Sequence, residues 1–245
     1  MQQPKRLIIA GVIVFILGLT ILFPARTAYH WLAPQQFRIS GISGSVWHGN
    51  ATEGMAGNIY LRNLSWDLRP LALFGGKLAL AVSADPAAGF FDAEIAVTPS
   101  GALFLSNING TLSLQIFKDF FQLQGFRGNL NLQIAELVIR DGIPVRATGS
   151  VSLAGLAAPQ LSDEPIGDFR VVLQTDDDGI VGSVEDLSGV LRVAGVIRLG
   201  LDRTYSFIGQ VAATPQTPAN IRQQLQLLGS ANERGQREFR IEGQL

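Results

Sequence analysis

The sequence has no cysteine, two histidines and few charged residues, and each shortage removes a class of function. Without cysteine the chain cannot form a disulfide framework, a cysteine zinc site or a thiol nucleophile. His30 and His48 are isolated and show no metal-ligand spacing, which favours surface or turn positions. Charged residues make up 16% of the chain, and the net charge of -1 offers no electrostatic basis for nucleic-acid binding.

Catalytic motifs are also missing. Gly75-Gly76-Lys77 lacks the earlier glycine and the following hydroxyl of a phosphate-binding loop. Asp176-Asp177-Asp178-Gly179 lacks the spaced carboxylates and closing glutamate of a calcium loop, and it favours a hairpin turn instead. No combination of a serine, a histidine and an acidic residue in the sequence suggests a catalytic triad. We therefore expect a non-enzyme without a cofactor or a metal site.

One long apolar run is present at residues 7–23 (LIIAGVIVFILGLTILF), directly after Lys5 and Arg6. It is longer than the roughly 7–15 residues of a signal-peptide core, and the small residues of a good cleavage site do not follow it. A membrane-spanning helix needs about 17–25 apolar residues, and a buried helix of a soluble protein is rarely apolar on every face. We therefore predict a retained transmembrane helix rather than a cleaved signal.

The charges around this run predict its orientation. Basic residues tend to stay cytoplasmic, so we expect residues 1–6 to form a cytoplasmic tail and the bulk of the chain to lie on the far side of the membrane, which in a bacterium is the periplasm. The run itself then anchors the protein in the inner membrane as a single-pass helix. Residues 24–36 form a juxtamembrane linker, in which Tyr29 and Trp31 suit the headgroup layer.

From residue 37 onward, short alternating runs separated by Gly, Asn and Asp predict a mainly β domain, a curved antiparallel sheet. Leu61 and Leu64 are an odd number of residues apart, which breaks the alternation of the strand and predicts a β-bulge near Arg62-Asn63. Pro70 opens residues 71–74, which end on Gly75-Gly76, and this pattern predicts one helical turn with a glycine stop. The following strands are predicted at residues 77–83, 89–98, 102–105 and 111–117.

A short amphipathic helix is predicted near the C-terminus, before a final strand at residues 238–245. Thr217 offers a capping hydroxyl, Pro218 suits the first helical position and Gly229 ends the helix. Ile221, Leu225 and Leu228 fall on one helical face.

Four short patterns recur in the same order about 71 to 79 residues apart, beginning with Gly57-Asn58 and Gly128-Asn129. They predict a duplication, with a first β repeat at residues 37–117 and a second at residues 118–245, which also holds the helix and the last strand. Trp47 and Trp66 are interpreted as core aromatics. The alternative is that they line an edge or groove that receives a partner strand or a lipid chain.

Two motifs carry a family resemblance: Gly44-Ser45-Val46-Trp47-His48-Gly49, and Leu64 to Pro70 with Leu73-Phe74-Gly75. Segments near Tyr205, Leu228 and the C-terminus add to it. With them the chain resembles protein N of the type II secretion system (general secretion pathway protein N). The positions that carry the resemblance are Gly44, Trp47, Gly49, Trp66, Pro70, Gly75, Tyr205, Gly209, Gly229 and Gly243.

The resemblance implies an inner-membrane component with a periplasmic β domain, which acts as a structural or interaction subunit and contacts other secretion subunits. It carries over no catalytic residue. The layout of repeated amphipathic strands also resembles AsmA- and TamB-type periplasmic proteins. The alternative function is therefore lipid binding on a concave, apolar face of the sheet. Alternation of apolar and polar residues does not distinguish the interaction subunit from the lipid-binding protein. A half-buried strand has the same alternation whether its apolar face contacts a protein core or an acyl chain.

Overall fold

The structure, a computed structural model, describes residues 18, 22–32, 37–56, 59–86, 89–117, 125–159, 162 and 164–244. Fourteen strands lie in this described part, and each is antiparallel to its paired neighbours. The mainly β, antiparallel prediction is therefore confirmed. The chain divides into two compact units, unit 1 at Met1–Ala87 and unit 2 at Ala88–Leu245.

Unit 1 is a small sheet with the strand order β1-β3-β4-β5, and β2 pairs with β3. Its elements are α1 Ala25–Leu32, β1 Phe37–Ser40, β2 Ser43–Gly44, β3 His48–Ala56, β4 Ile59–Arg69, the 3-10 helix η1 Pro70–Gly75, and β5 Leu78–Pro86. Helix α1 packs on the apolar face of this sheet, where Ala25, Ile42 and Ala51 form a buried cluster. The hydroxyl of Tyr29 accepts a hydrogen bond from the backbone N–H of Ile39 (3.0 Å) and ties the helix to β1.

The bulge predicted in β4 is confirmed. The register with β5 shifts between Arg62 and Ser65, and Asn63 adopts a positive φ of 49°. The Asn63 amide donates to Asp85 at 2.8 Å, which supports this conformation. The helical turn from Pro70 is confirmed as well, and Gly76 of the predicted glycine stop takes the left-handed conformation that ends it (φ 69°).

Unit 2 is a meander in which each strand pairs with the next along the chain from β6 to β14. Its elements are β6 Gly89–Val97, β7 Leu103–Ser113, η2 Leu114–Phe117, β8 Arg127–Arg140, β9 Ile143–Ala157, β10 Gly167–Asp176, β11 Gly179–Gly189, β12 Leu191–Gly200, β13 Thr204–Ala213, α2 Ala219–Leu225, η3 Gln226–Leu228 and β14 Arg237–Gln244. Asp177 and Asp178 form the two-residue turn between β10 and β11, so the predicted hairpin is confirmed.

One strand prediction in unit 2 is wrong. Residues 102–105 and 111–117 do not form two strands, because β7 runs without a break through both and residues 114–117 turn into η2. Asn107 (φ 52°) accounts for the difference, since it makes a local bulge and not a turn. The buried Ile108 beside it keeps its pairing with Ile134 of β8.

Helix α2 is present as predicted, but its cap differs. Ile221 is buried with Ala158, Ile166 and Val190, and Leu225 packs against this cluster, whereas Leu228 is 43% exposed. Thr217 does not cap the helix. Its buried hydroxyl donates to the carbonyl of Val190 and accepts from the N–H of Thr214 (2.7 Å), because the strand ends offer it closer partners.

Some predictions fall outside what the structure describes. Residues 1–17 and 19–21, and so most of the apolar run at 7–23, are not among the described residues. Within the described part, no helix is both long and apolar enough to cross a bilayer. The duplication at residues 37–117 and 118–245 stays a prediction, because compact units reflect contacts and not ancestry.

Candidate interaction site

Five of the ten positions that carry the family resemblance form or join cross-strand pairs of an aromatic ring and a glycine. Trp66 lies opposite Gly49, and Tyr205 lies opposite Gly243. Gly209 lies opposite Phe239, which belongs to the predicted last strand but is not one of the ten positions. A Cβ built on any of the three glycines would lie 2.4 to 2.8 Å from an atom of the facing ring. Each glycine therefore leaves the space that the ring fills.

The Trp66 pair is held from several sides in unit 1. The indole Nε1 donates to the carbonyl of Val46 (3.2 Å), and the ring packs against the buried cluster under α1. A Cβ on Gly49 would lie 2.4 Å from Cζ2 of Trp66 and 2.8 Å from the carbonyl oxygen of Ser43. The interpretation of Trp66 as a core aromatic agrees with this packing.

The loop that carries Trp47 depends on another glycine. Gly44 has a φ of 88°, and a Cβ there would lie 2.5 Å from the carbonyl oxygen of His48. Trp47 is half-buried and is not among the residues that pack on the two buried clusters of the described chain. Its carbonyl accepts from the N–H of Leu68 at 2.6 Å, which ties the loop to the end of β4.

The three remaining motif positions lie in turns and not in ring pairs. Pro70 opens η1, and Gly75 is its last residue, where a built Cβ would meet no atom within 4 Å. Gly229 follows η3 with a φ of 97°, a conformation that favours glycine. The structure thus brings the ten positions together as pairs and turns within each unit, rather than as one chemical centre.

The largest continuous feature of unit 2 is its apolar sheet face. One register row crosses β8 to β14 through Leu132, Val151, Val171, Val184, Gly195, Gly209 and Phe239. The next row adds Ile134, Gly149, Leu173, Gly182, Ile197, Phe207 and Ile241. We call these two rows the apolar face. Most of its large side chains are half-buried, and Ile241 on the last strand is 53% exposed.

Glycines leave room for two aromatic rings on this face near the last strand. The rings of Phe207 and Phe239 meet edge to face, with centroids 4.8 Å apart and an interplanar angle of 83°. A Cβ on Gly195 would lie 2.9 Å from the Phe207 ring. The result is an aromatic patch beside the strand edge of β14, which pairs with β13 on one side.

The opposite face of unit 2 is polar. Its matching row runs through Asn131, Ser152, Arg170, Glu185, Ala194, Gln210 and Glu238. Asp168 accepts from the N–H of Gly155 and from the hydroxyl of Ser188, both at 2.7 Å, and these two bonds lower the pKa of its carboxyl. The bonded Glu242 raises the pKa of the Arg240 guanidinium. Unit 2 therefore presents one face that carries charged side chains and one apolar face.

An open cavity of about 510 Å³ lies at the Tyr205 end of strands β11 to β14. Its lining mixes apolar and charged side chains, among them Ile180, Leu199, Tyr205, Asp178, Arg198 and Glu242. Within the described ranges, no three or more His, Asp or Glu side chains come together in a way that could hold a metal ion. The arrangement suits contact with apolar or amphipathic groups.

Comparison with known proteins gives two findings. The family model described as type II secretion system (T2SS), protein N matches residues 35–240, most of the chain. A protein of Aeromonas hydrophila named type II secretion system protein N is 23% identical over 253 residues, which cover 100% of both chains. No solved structure matches.

Proposed function

Because the chain belongs to the family of type II secretion system protein N, we propose that it serves that machinery as a non-catalytic structural and interaction subunit. The family match over residues 35–240 is the observation that carries the proposal, because it spans both units. In this proposal the apolar run at residues 7–23 holds the protein in the inner membrane, and both units lie in the periplasm.

The contact surface proposed for other secretion subunits is the apolar face of unit 2 together with the edge of β14. A partner strand can pair with the open side of an edge strand, and apolar side chains beside it add area and specificity. Phe239 and Ile241 supply such side chains, and they alternate with charged residues of β14 that face the other way. These charges would disfavour nonspecific pairing of β14 with strands of other proteins.

Deletion of the gene in its own bacterium tests the function. We expect type II substrates to accumulate in the periplasm and to disappear from the culture medium, and the full-length gene to restore them. Measurement of exoprotein activity in both fractions reports this directly. Unchanged secretion, together with an outer membrane that leaks periplasmic proteins, would contradict the proposal.

A second candidate function is lipid binding on the apolar face. The observation that favours it is the half-burial of side chains such as Val151, Val171 and Ile197, which leaves apolar surface along several strands. A photoreactive residue at Val171 should then crosslink to phospholipid in cells. The same residue at Val172, which points to the polar face and is 37% exposed, is the matched control. Crosslinks to protein alone at position 171 would remove this candidate.

A further inference from the structure

The most exposed apolar side chains of unit 1 include those of η1. Phe74 is 91% exposed, Leu71 is 79% exposed and Leu73 is 47% exposed. We call these three residues the η1 tip. None of the six residues of η1 is buried, so the tip is largely exposed in the loop between β4 and β5. A cluster of exposed large apolar side chains usually marks a contact surface.

The η1 tip lies at the end of the sheet where the apolar run joins unit 1. The carbonyl of Phe23, the last residue of that run, accepts from the N–H of Val46 (3.0 Å). The next residue, Trp47, accepts from Leu68, which precedes η1 by two residues. Two hydrogen-bonded steps of about 5 Å each thus separate Phe23 from the strand that leads into η1.

Other exposed apolar groups surround Phe23 at this end. Leu22 and Trp31 are each 75% exposed, and the ring centroid of Trp31 lies 6.1 Å from that of Phe23. Tryptophan is enriched at membrane interfaces, where its ring is partly apolar and its N–H stays hydrated. Trp31 and the η1 tip therefore share one end of unit 1.

The charges near this end suit an anionic lipid surface. Arg69 and Lys77 flank η1 on both sides and are exposed, and Arg26 is exposed at the start of α1. The neighbouring carboxylate of Asp67 is bonded to the ring of His48 (Nδ1 to Oδ2, 3.0 Å). Basic side chains close to a bilayer gain favourable interactions with anionic headgroups.

We propose that the η1 tip inserts into the headgroup region of the bilayer in which residues 7–23 are anchored. The proposal rests on the anchor given under Proposed function and adds a second contact, which would restrain unit 1 against the membrane surface. The occupant is lipid because the apolar run leads into this end of the sheet, and because the tip combines apolar side chains with flanking cations as interfacial segments do.

Cysteine labelling of the full-length chain tests this contact, since the chain has no native cysteine. Phe74→Cys receives a fluorescent label, and the protein is reconstituted in vesicles of phosphatidylethanolamine and phosphatidylglycerol. Because Phe74 is 91% exposed, its replacement leaves the fold intact. We expect nitroxide-labelled lipid to quench this label about five-fold more strongly than water-soluble iodide does.

Met55→Cys is the matched control. Met55 is 43% exposed and pairs with Tyr60 on β4. Tyr60 precedes Arg69 by nine residues, which places the control about 30 Å from η1 along the strand. Its label should be quenched by iodide and not by lipid.

A third variant, Ala10→Cys, separates failure of the tip from failure of the anchor. If lipid quenches the label at position 10 while iodide quenches the label at position 74, the anchor stands and the inference on the η1 tip is wrong. The tip would then be a protein contact that pure lipid cannot replace. If iodide quenches both labels, the proposed anchor is wrong as well.

Discussion

The Trp66 ring of unit 1 and the Tyr205 ring of unit 2 each lie over a glycine of the neighbouring strand, but their surroundings differ. Trp66 packs against a buried cluster covered by α1, and its indole N–H has a backbone partner. Tyr205 is half-buried beside an open cavity, next to the last strand of unit 2. The same pairing of an aromatic ring with a glycine therefore lies in the interior of unit 1 and on an accessible surface of unit 2.

The difference shows that a sequence motif does not by itself tell a packing role from a contact role. Both pairs consist of an aromatic residue and a glycine, and a Cβ on either glycine would lie about equally close to the ring, at 2.4 Å on Gly49 and 2.6 Å on Gly243. What differs is the freedom of the ring to move. That freedom can be measured through the free energy of unfolding of variants in each pair.

Trp66→Ala should have the largest effect on stability. Truncation of a large aromatic side chain usually costs about 3–5 kcal/mol, and because Trp66 is half-buried we expect about 3 kcal/mol. Trp31→Ala is the control, since Trp31 is 75% exposed and should change the free energy of unfolding little. Urea unfolding of both variants measures the contrast. Equal losses would mean that Trp66 is not part of the interior of unit 1.

Gly49→Ala and Gly243→Ala should differ, with the larger effect in unit 1. On Gly49 the new methyl group meets the Trp66 ring and the Ser43 backbone, and overpacking of this kind costs about 1–3 kcal/mol. On Gly243 the three closest atoms all belong to the outer part of the Tyr205 ring, which can turn away into the open cavity. We expect about 2 kcal/mol for the first variant and under about 0.5 kcal/mol for the second.

A double-mutant cycle sharpens this contrast. If the ring causes the cost of Gly49→Ala, the cost should shrink when Trp66→Ala is also present, and the two losses should not add. Additive losses would locate the strain in the Ser43 backbone and not in the aromatic pair.

Asp168→Asn should have the smallest effect, and that effect should depend on pH. The Gly155 and Ser188 donors lower the pKa of this carboxyl in the folded state, so its ionised form stabilises unit 2 above the unfolded pKa of about 3.9. That contribution is lost as the pH falls through the lower folded pKa. We expect the variant to melt about 1 °C below the parent at neutral pH, and the gap to close in acid. A gap that stays constant below pH 4 would contradict this assignment.

Local patterns in the sequence were enough to predict the β class, the bulge beside Asn63, the hairpin at Asp177 and the position of α2, because each depends on a few adjacent residues. The role of Thr217 could not be predicted, since its partner Val190 lies 27 residues away. The continuity of β7 through Asn107 was missed for a similar reason. It depends on pairing with β8, which no local signal reports.

The residues of the candidate site could be predicted from the sequence, but their arrangement in space could not. The family resemblance marked Tyr205 and Gly243, yet only the register between β13 and β14 brings the two together. Phe239 falls within the predicted last strand, but its place in the alternation does not show that it faces Gly209. A search for aromatic residues facing glycines would have needed that register first.

The central claim is that the apolar face of unit 2, and not its polar face, carries the contact needed for secretion. Ile241 and Ile208 provide a matched pair, because they lie on adjacent strands, point to opposite faces and are 53% and 47% exposed. Each is changed to aspartate in the full-length gene, and secreted exoprotein is measured at equal abundance of the two variants. We predict a loss with Ile241→Asp and normal secretion with Ile208→Asp. Equal secretion by both variants would contradict the claim.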